Sequence, residues 1–507
     1  MDRASCPPAN GSDRPAGRRA DRHRPARLRR SGSSDEDLMT APNIAAALAA
    51  LAHLDIDTNP ASVKAKSRDF FWYSPVLKDR LDGLVADFVV TPRTEAEVIE
   101  TLRICYAHDV PVTTRGAGTG NYGQAIPLAG GCVLHLNKMD AIKDIQPGRF
   151  IAEPGALLKD IDAACIAHSG QELRMFSSTW ATATIGGFIA GGSGGVGSIH
   201  WGSLRDVGNI IRLRVVTMEA EPRIIEITGE DLHRVSHAYG TNGIITEIEM
   251  PLAAAYDWID LFVTFKDFSA ALAYASDLAG CDGILSKLAT VFEPGIAKTY
   301  FQRVAPYVEA DDAVVALMIA PQSMPGFETF TAAHTGAHVI FRSDDHNWAR
   351  SPGRIFEYGW NHTTLRALKV DPSITYLQVD YGCDDPIPLI EKIREMFSPE
   401  VLQHIEVSRR AGRVGLGGLS LVKFTDEARL DEIIALHEAH GAAVYNPHRY
   451  TLEEGGRQST DAAQLAFKQQ ADPKGLLNPG KMIAWDDPDF DYAQMYAYPG
   501  LRKGDVP

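Results

Sequence analysis

The chain has 507 residues, of which 45% are hydrophobic and 23% are charged. This length exceeds the size at which one hydrophobic core usually keeps growing, so we expect two domains. The net charge of −15 at pH 7 excludes a general binder of nucleic acid or of anionic membranes, because both need a basic surface.

The six cysteines are scattered along the chain, and no two of them form a Cys-x-x-Cys pair. This pattern fits neither a disulfide scaffold nor a structural zinc site, and it indicates a reducing compartment. No apolar run approaches the roughly 18–20 residues that a membrane-spanning helix needs. We therefore expect a cytoplasmic protein without a membrane span.

Residues 1–39 differ in composition from the rest of the chain. They are rich in arginine, proline and serine and contain few apolar residues, which predicts a disordered tail. Arg29 and Arg30 precede an alanine-rich run, loosely as in a twin-arginine export signal, but acids occupy 35–37, where a positive flank is expected. We interpret the alanine run as a helix in a helical lead-in at 40–80. A start at Met39 is the alternative to a native tail.

The first regular elements lead directly to a glycine-rich segment. Residues 84–92 are a short β-branched run that Pro92 stops, which predicts a strand. Residues 95–108 have apolar side chains at helical spacing behind Thr94, a typical N-cap residue, and predict a helix. A second strand is predicted at 110–114.

Strands and helices continue to alternate along the chain. Further strands are predicted at 132–136, 150–152, 210–218 and 224–227, and helices at 157–168 and 231–238. This indicates a mixed α and β domain with a parallel component, which we place at 81–255.

A second domain is predicted at 256–445, where the glycine-rich segments are gone. Its predicted strands are 261–265, 313–319 and 419–423, and its predicted helices are 269–278 and 427–440. Residues 446–507 are expected to return to the first domain.

Two glycine-rich segments, at 115–124 (RGAGTGNYGQ) and 184–198 (TIGGFIAGGSGGVGS), are the most informative feature of the sequence. Glycine adopts left-handed backbone angles and leaves main-chain N–H groups open to a ligand. Successive N–H groups in such turns form concave anion sites that suit phosphates. Two such segments predict a ligand with several groups to hold, such as a dinucleotide.

The first segment differs from two other kinds of phosphate-binding loop. It lacks the Gly-Lys-Ser/Thr ending of a P-loop, so an enzyme of nucleoside triphosphates is not expected. Gly118, Gly120 and Gly123 satisfy the Gly-x-Gly-x-x-Gly fingerprint of Rossmann domains. A Rossmann loop runs straight into a helix, however, whereas a strand is predicted to follow this one. An NAD-dependent Rossmann enzyme remains an alternative.

Six segments occur in the order found in one flavoprotein family. They are 91–98 (TPRTEAEV), 114–120 (TRGAGTG), 152–155 (AEPG), 183–190 (ATIGGFIA), 240–247 (GTNGIITE) and 472–481 (DPKGLLNPGK). On these motifs the chain closely resembles the vanillyl-alcohol-oxidase family of flavoproteins, with its glycolate oxidase and D-lactate dehydrogenase relatives. The resemblance spans about 80–255 and 455–485. It implies an α+β fold, with a two-lobed PCMH-type FAD-binding domain and an α/β (ferredoxin-like) cap domain.

The resemblance also implies the cofactor, FAD, and the residues that hold it. The first segment is expected to bind the diphosphate through backbone N–H groups, and the second to run beneath the flavin. Ile244 and Ile245 would reach the adenine or ribityl side, with core packing as the other reading, and Lys481 would supply positive charge to the reduced ring. The expected FAD-binding residues are Arg115, Gly116, Ala117, Gly118, Thr119, Gly120, Gln124, Thr184, Gly186, Gly187, Gly191, Gly194, Gly195, Ser198, Ile244, Ile245, Asn478 and Lys481.

Two departures from the family affect the cofactor and metal predictions. Some members attach FAD through a histidine in the first segment or a cysteine in the second, and neither residue type occurs there in this chain. We therefore expect non-covalent FAD. His334 and His338 are four residues apart but enclose residues that form helices poorly, so we predict no metal site.

Catalytic residues are expected where the cap domain returns to the FAD-binding domain, at 445–450 (YNPHRY). Oxidation of a substrate by a flavin needs a base for the substrate proton and positive charge near the reduced ring. His448 is the predicted base because its intrinsic pKa is near neutral. Tyr445 or Tyr450 would donate a hydrogen bond to the substrate, and Arg449 would bind a carboxylate or the reduced flavin. Anchoring of the domain junction is the alternative role for these residues.

A second polar cluster lies within the predicted cap. Arg354, Tyr358 and His362 have the spacing of one helical face. They either line the pocket from the cap side or form a solvated helix face, and we favour the solvated face.

Together these features predict an FAD-dependent oxidoreductase that takes a hydride from an alcohol or hydroxy-acid carbon and passes electrons to O₂ or a carrier. The alternatives are a non-catalytic flavoprotein subunit of a larger oxidase complex, and an amine- or phenol-oxidising flavoenzyme. The expected partners are a small-molecule substrate and the electron acceptor, without nucleic acid. A homo-oligomer is left open.

Overall fold

The computed structural model describes residues 42–490 except 193, 346, 347, 349, 383, 411, 456–459 and 461, and also 496–498 and 501–502. The tail predicted at 1–39 lies outside the described residues. Within them the chain combines helices with three large sheets, which confirms the α+β class.

The part of the chain up to Ala254 contributes the first two sheets. Its strands are β1 Ile56–Asp57, β2 Phe88–Val90, β3 Val112–Arg115, β4 Cys132–His135, β5 Ile142–Gln146, β6 Arg149–Ala152, β7 Gln171–Leu173, β8 Arg212–Val216, β9 Ile224–Thr228 and β10 Ile244–Ala254. Its helices are α1 Pro42–Leu51, α2 Pro60–Lys66, α3 Pro75–Leu81, α4 Glu95–Ala107, α5 Leu158–Ser169, α6 Ile185–Gly191 and α7 Ser198–Trp201.

The first sheet has the strand order β1-β2-β4-β3, and β4 runs parallel to both of its neighbours. Helix α4 forms the crossover between β2 and β3. The Thr94 hydroxyl accepts a hydrogen bond from the Glu97 N–H at 3.2 Å, which confirms the predicted N-cap. Glu95 and Glu97 place negative charge in the first turn, where the helix dipole favours it.

The second sheet is antiparallel, with the order β5-β6-β10-β8-β9, and β7 also pairs with β10. The α-helix predicted at 231–238 is wrong. The structure has a 3₁₀ helix at Gly229–Arg234, and a turn follows it. In that turn His237 and Tyr239 have φ angles of 52° and 53°. Their N–H groups bond the carbonyls of α6 residues instead of a preceding helical turn.

The third sheet is antiparallel and belongs to the cap. Its strands are β11 Ile259–Phe265, β12 Ser286–Phe292, β13 Ala313–Ile319, β14 His338–Arg342, β15 Ile374–Asp380, β16 Val401–Leu402, β17 His404–Arg410, β18 Arg413–Lys423 and β19 Ala443–Tyr445. Its helices are α8 Phe268–Gly280, α9 Ile296–Tyr300, α10 Met324–Ala333, α11 Asn361–Leu368, α12 Ile387–Phe397 and α13 Glu427–Ala439.

Alternate residues of the cap strands enter two different cores. Phe262 and Met318 pack in the core that contains β6, α5 and α6, whereas Leu261 and Leu317 pack beneath α8. Both faces of the sheet are therefore buried, which explains why β11 and β13 read as nearly continuous apolar runs rather than alternating ones. One shared core joins the cap to the second sheet.

The C-terminal segment returns to the first sheet. It contains α14 Ala462–Ala471, α15 Ile483–Asp486, and the short antiparallel strands β20 Tyr496–Tyr498 and β21 Leu501–Arg502. Leu477 forms a parallel bridge with Val112 of β3. The segment thereby packs behind the first glycine-rich loop.

Candidate functional site

A cavity of about 1710 Å³, its opening to solvent included, lies where the two glycine-rich segments meet the cap. The described residues that line it fall within 69–73, 114–125, 177–195, 235–245 and 360–362, together with Leu136, Pro154, Gln378 and Leu419.

The first glycine-rich segment forms a loop between two parallel strands, as the sequence predicted, and not the start of a helix. The backbone N–H groups of 117–121 donate to no protein acceptor among the described residues. Five consecutive unpaired N–H groups at the wall of a cavity form an anion-binding concavity. This loop fits a diphosphate.

Arg115 lies at the base of this loop. Its guanidinium donates to the Arg68 carbonyl and, at 3.2 Å, to the Ala117 carbonyl. Burial lowers its pKa, and the nearby Asp69 carboxylate opposes that shift. The group remains a fixed positive charge beside the anion-binding loop.

The second glycine-rich segment begins as a helix, whereas its glycine content favoured turns. Thr184 caps α6 by accepting a hydrogen bond from the Gly187 N–H at 3.3 Å, so Gly186, Gly187 and Gly191 lie in a helix. All three line the cavity, as Gly194 and Gly195 do beyond the helix.

Some of these glycines are needed for packing within the protein. A Cβ on Gly195 would lie 2.2 Å from the Phe176 carbonyl oxygen, and one on Gly116 would lie 2.2 Å from the Thr184 hydroxyl. A Cβ on Gly191, in contrast, has only the Gln124 side chain near it, at 3.5 Å. Gly191 is therefore a glycine that leaves room for a ligand.

Several predicted cofactor residues lie behind the wall of the cavity. Ser198 accepts a hydrogen bond from the Gly195 N–H at 2.9 Å and is buried, and Ile244 packs in the core of the first sheet. Asn478 donates to the carbonyls of Gln124 and Tyr239, at 2.8 and 2.7 Å. These three residues support the cavity wall through hydrogen bonds and packing. Ile245 and Gln124 do line the cavity.

Lys481 also lies behind the first loop. Its ammonium group donates to the Gly123 carbonyl at 2.6 Å and lies 4.9 Å from the centre of the Tyr450 ring. Burial lowers its pKa to about 7, and burial raises the pKa of Asp69 to about 6, while the attraction between the two charges opposes both shifts. Of the two, Asp69 lines the cavity.

The structure does not bring the four predicted catalytic residues together at the cavity. His448 is buried, and its Nε2 donates to the Tyr376 carbonyl at 3.0 Å. Its Nδ1 must therefore accept the 2.7 Å hydrogen bond from the Ser74 hydroxyl. Burial lowers the pKa of His448 to about 3. Both ring nitrogens are engaged within the protein, which argues against His448 as the base.

The other three predicted catalytic residues lie around the same junction. Arg449 pairs with Glu427 at 3.1 Å and with Asp431 at 3.5 Å on α13. Tyr450 packs against an apolar cluster of the lead-in, and Tyr445 pairs with β15 as the last residue of β19. These contacts join the segment to α13, to the lead-in and to β15.

A turn of the cap forms the cavity wall opposite the glycine-rich segments. Only His362 of this turn was named from the sequence. Trp360, Asn361 and His362 line the cavity together with Gln378, which accepts a hydrogen bond from the Tyr122 hydroxyl at 2.7 Å. No local sequence signal marks this turn, because its position depends on Glu406 of β17, which accepts a hydrogen bond from the Trp360 N–H.

The predicted helical face through Arg354 is interrupted by this turn. Arg354 pairs with Asp260 at 3.3 Å, and the buried Tyr358 donates to the Pro352 carbonyl at 2.7 Å. Helix α11 begins only at Asn361, so His362 alone of the three predicted residues reaches the cavity. Burial, and then the charges of Arg366 and Lys369, lower the pKa of His362 to about 4.

Among the described residues, no group of three or more His, Cys, Asp or Glu side chains could hold a metal ion. No described helix is long and apolar enough to cross a membrane.

Comparison with known proteins identifies the domain around the cavity. Residues 86–226 match the family model of the FAD binding domain. The chain is 26% identical over 437 residues to glycolate oxidase subunit GlcD of Bacillus subtilis, covering 79% of this chain and 89% of that protein. It is 32% identical over 174 residues to D-lactate dehydrogenase of Archaeoglobus fulgidus, covering 32% of this chain and 38% of that protein.

Solved structures share the fold at lower identity. 4-Ethylphenol oxidase from Gulosibacter chungangensis matches with a TM-score of 0.62 and 16% identity over 88% of this chain and 98% of that chain. Alkyldihydroxyacetonephosphate synthase matches with a TM-score of 0.64 and 15% identity, over 87% of this chain and 86% of that chain. Residues 86–226 therefore form an FAD binding domain, and the chain shares the fold of these two solved structures.

Proposed function

We propose that this protein removes a hydride from a CH–OH carbon, using FAD that is bound without a covalent link. The observation that carries the proposal is the row of five unpaired N–H groups at 117–121, which shares one cavity with the glycine face of α6 and the cap turn. When bound, FAD accepts two electrons from the substrate, which then pass to O₂ or to a carrier.

The FAD-binding residues are proposed from their place in the cavity. The loop from Gly116 to Gly120 holds the diphosphate beside the charge of Arg115, which stabilises bound anions at short range. Gly186, Gly187 and Gly191 present the surface of α6 along the remainder of the cofactor. Thr114 supports this arrangement, because its buried hydroxyl lines the cavity and has no partner among the described residues.

Non-covalent attachment is proposed from the side chains that face the cavity. The described residues of both glycine-rich segments bring neither histidine nor cysteine to it. Cys105, Cys132 and Cys165 are free and buried elsewhere, which supports a reducing compartment and the proposed cytoplasmic location.

His362, in place of His448, is proposed to contact the substrate hydroxyl. It lines the cavity, and neither of its ring nitrogens has a hydrogen-bond partner in the described structure. Because its pKa is lowered to about 4, the imidazole is neutral at pH 7 and accepts a hydrogen bond from an alcohol. That contact orients the hydroxyl and its carbon. As the carbon loses its hydride, the hydroxyl proton passes to the imidazole nitrogen, so that the alcohol becomes a carbonyl compound.

The test is anaerobic flavin reduction by a panel of alcohols and 2-hydroxy acids. We expect a yellow protein whose flavin band bleaches with at least one CH–OH donor and which releases free FAD on acid precipitation. A yellow pellet would contradict non-covalent attachment. A bound flavin that no CH–OH donor bleaches would contradict the proposed reaction.

A further inference from the structure

The cavity has charged groups at one end only. Asp69 and Arg115 are the only Asp, Glu, Lys or Arg side chains among its described lining residues, and both lie beside the first glycine-rich loop. Arg115 is already engaged with the carbonyls of Arg68 and Ala117. The wall that the cap contributes, from Trp360 to His362 with Gln378 and Leu419, carries no such charge.

The cap turn is held in an unusual backbone conformation. Trp360 has φ 50° and ψ −146°, a region that non-glycine residues rarely adopt. The buried Glu406 carboxylate maintains it by accepting hydrogen bonds from the Trp360 N–H and, at 2.6 Å, from the Thr290 hydroxyl. Strained backbone that is fixed by surrounding structure is typical of ligand-binding positions.

The same turn contains three consecutive residues with unsatisfied polar atoms. Trp360 Nε1, Asn361 Oδ1 and His362 Nδ1 are buried and have no hydrogen-bond partner among the described residues. A buried polar atom without a partner destabilises a protein, and such atoms are uncommon. Their concentration beside a cavity indicates that a ligand completes this turn.

The neighbouring surface is apolar. Trp360 and Phe70 pack against the cluster of Tyr73, Tyr376 and Leu419, and Phe70, Tyr73 and Leu419 line the cavity with Trp360. A carboxylate placed here would lose its hydration without gaining a cation, which is strongly unfavourable. An aromatic or alkyl group would instead bury apolar area against these side chains.

We propose that the substrate is an uncharged alcohol on an apolar, preferably aromatic, body, whose hydroxyl is bound by the side chains of Asn361 and His362. This inference rests on the proposed oxidation of CH–OH donors and narrows it, because it excludes 2-hydroxy acids as the preferred substrates. The aromatic body packs against Trp360 and Leu419. The hydroxyl donates its one proton to the neutral imidazole of His362 and accepts a hydrogen bond from the NH₂ group of Asn361.

The test compares 1-phenylethanol with mandelate, which differ in a methyl group and a carboxylate on the same carbinol carbon. Anaerobic flavin reduction is measured for each in the FAD-loaded protein, with benzyl alcohol, glycolate and D-lactate alongside. We expect the second-order rate constant for 1-phenylethanol to exceed that for mandelate by about 100-fold or more. Equal or faster reduction by the hydroxy acids would overturn the inference and leave the proposed reaction intact. Bleaching by none of these donors, nor by the wider panel, would overturn both.

Variants of the turn separate recognition from folding. Asn361→Leu and His362→Leu are expected to raise KM for the alcohols about tenfold with unchanged FAD content, and His334→Leu, outside the cavity, serves as the matched control. Asn361→Lys adds a cation to the wall and is expected to increase the mandelate rate relative to 1-phenylethanol. The assignment of substrate binding to this turn would be overturned if the variants bind FAD and show none of these changes. In that case KM for the alcohols would be unchanged in Asn361→Leu and His362→Leu, and the ratio of the mandelate rate to the 1-phenylethanol rate would be unchanged in Asn361→Lys.

Discussion

The carboxylate of Glu406 accepts a hydrogen bond from the backbone N–H of Trp360, and through it a strand of the cap sheet fixes a turn at the cavity wall. Both oxygens of Glu406 are engaged, because Thr290 bonds one of them and His404 Nε2 lies 2.9 Å from the other. A Cβ on the preceding Gly359 would lie 2.9 Å from this carboxylate. The turn and the acid therefore form one unit.

Glu406→Gln tests this unit. Glutamine keeps the shape but has only one accepting oxygen, so at least one of the donors loses its partner. We expect KM for the neutral alcohol to rise about tenfold while FAD affinity stays constant. Steady-state kinetics and FAD titration measure the two effects. Glu400→Gln, which disturbs only a partly exposed pair with Arg429, is the control and should change neither.

Gly191→Ala and Gly195→Ala separate the two reasons for glycine in the second segment. The Cβ at position 191 enters free space beside Gln124, so we expect unchanged stability of the FAD-free protein and about tenfold weaker FAD binding. The Cβ at position 195 meets the Phe176 carbonyl oxygen at 2.2 Å, so we expect a loss of about 1–3 kcal/mol in unfolding free energy. Thermal denaturation and FAD titration distinguish them. Equal stability losses in both variants would refute the distinction.

Lys468→Met should be strongly destabilising. The buried ammonium group bonds Asp472 at 2.5 Å and the carbonyls of Thr241 and Leu477, which ties α14 to the loop before β10 and to the residue that bridges to β3. Removing it leaves the buried Asp472 carboxylate without its cation, at a cost of about 3–5 kcal/mol. Urea unfolding measures the change. A loss below about 1 kcal/mol would show that the pair does not hold the segment.

His437 should make the fold less stable at acidic pH. Burial lowers its pKa from 6.5 to about 4, so as the pH falls the unfolded chain takes up the proton first. The contribution of the neutral His437 side chain to the unfolding free energy is complete above pH 6.5 and is lost as the pH falls through 4. Between about pH 7.5 and about pH 5 we expect this residue to lower the unfolding free energy by roughly 2 kcal/mol. His437→Phe, which keeps a ring to stack on Phe397, should reduce the pH dependence by that amount. An unchanged pH dependence would contradict the shift.

Local signals in the sequence predicted the first half of the site well. The N-cap at Thr94 and the run of glycines after Arg115 act through backbone conformation within a few residues, and both predictions match the structure. The second segment was harder to interpret, because glycine serves close packing at Gly195 and open space at Gly191, and composition does not distinguish these uses.

The cap side of the site depends on contacts that are distant in sequence. Trp360 reaches the cavity because Glu406 holds it, 46 positions further along the chain. His448 has the intrinsic pKa of a base, but Ser74, 374 positions away, and Tyr376 enclose it. Burial is a property of the folded packing, and burial decides the protonation state of both His448 and His362.

The most direct test of the diphosphate site is competition between two nucleotides for the FAD-free protein. FAD is titrated into this protein in the presence of ADP or of adenosine, which differ only in the diphosphate. If the unpaired N–H groups of 117–121 bind the diphosphate, ADP should compete about 100-fold more strongly than adenosine. Equal competition, or no binding of FAD at all, would contradict the site.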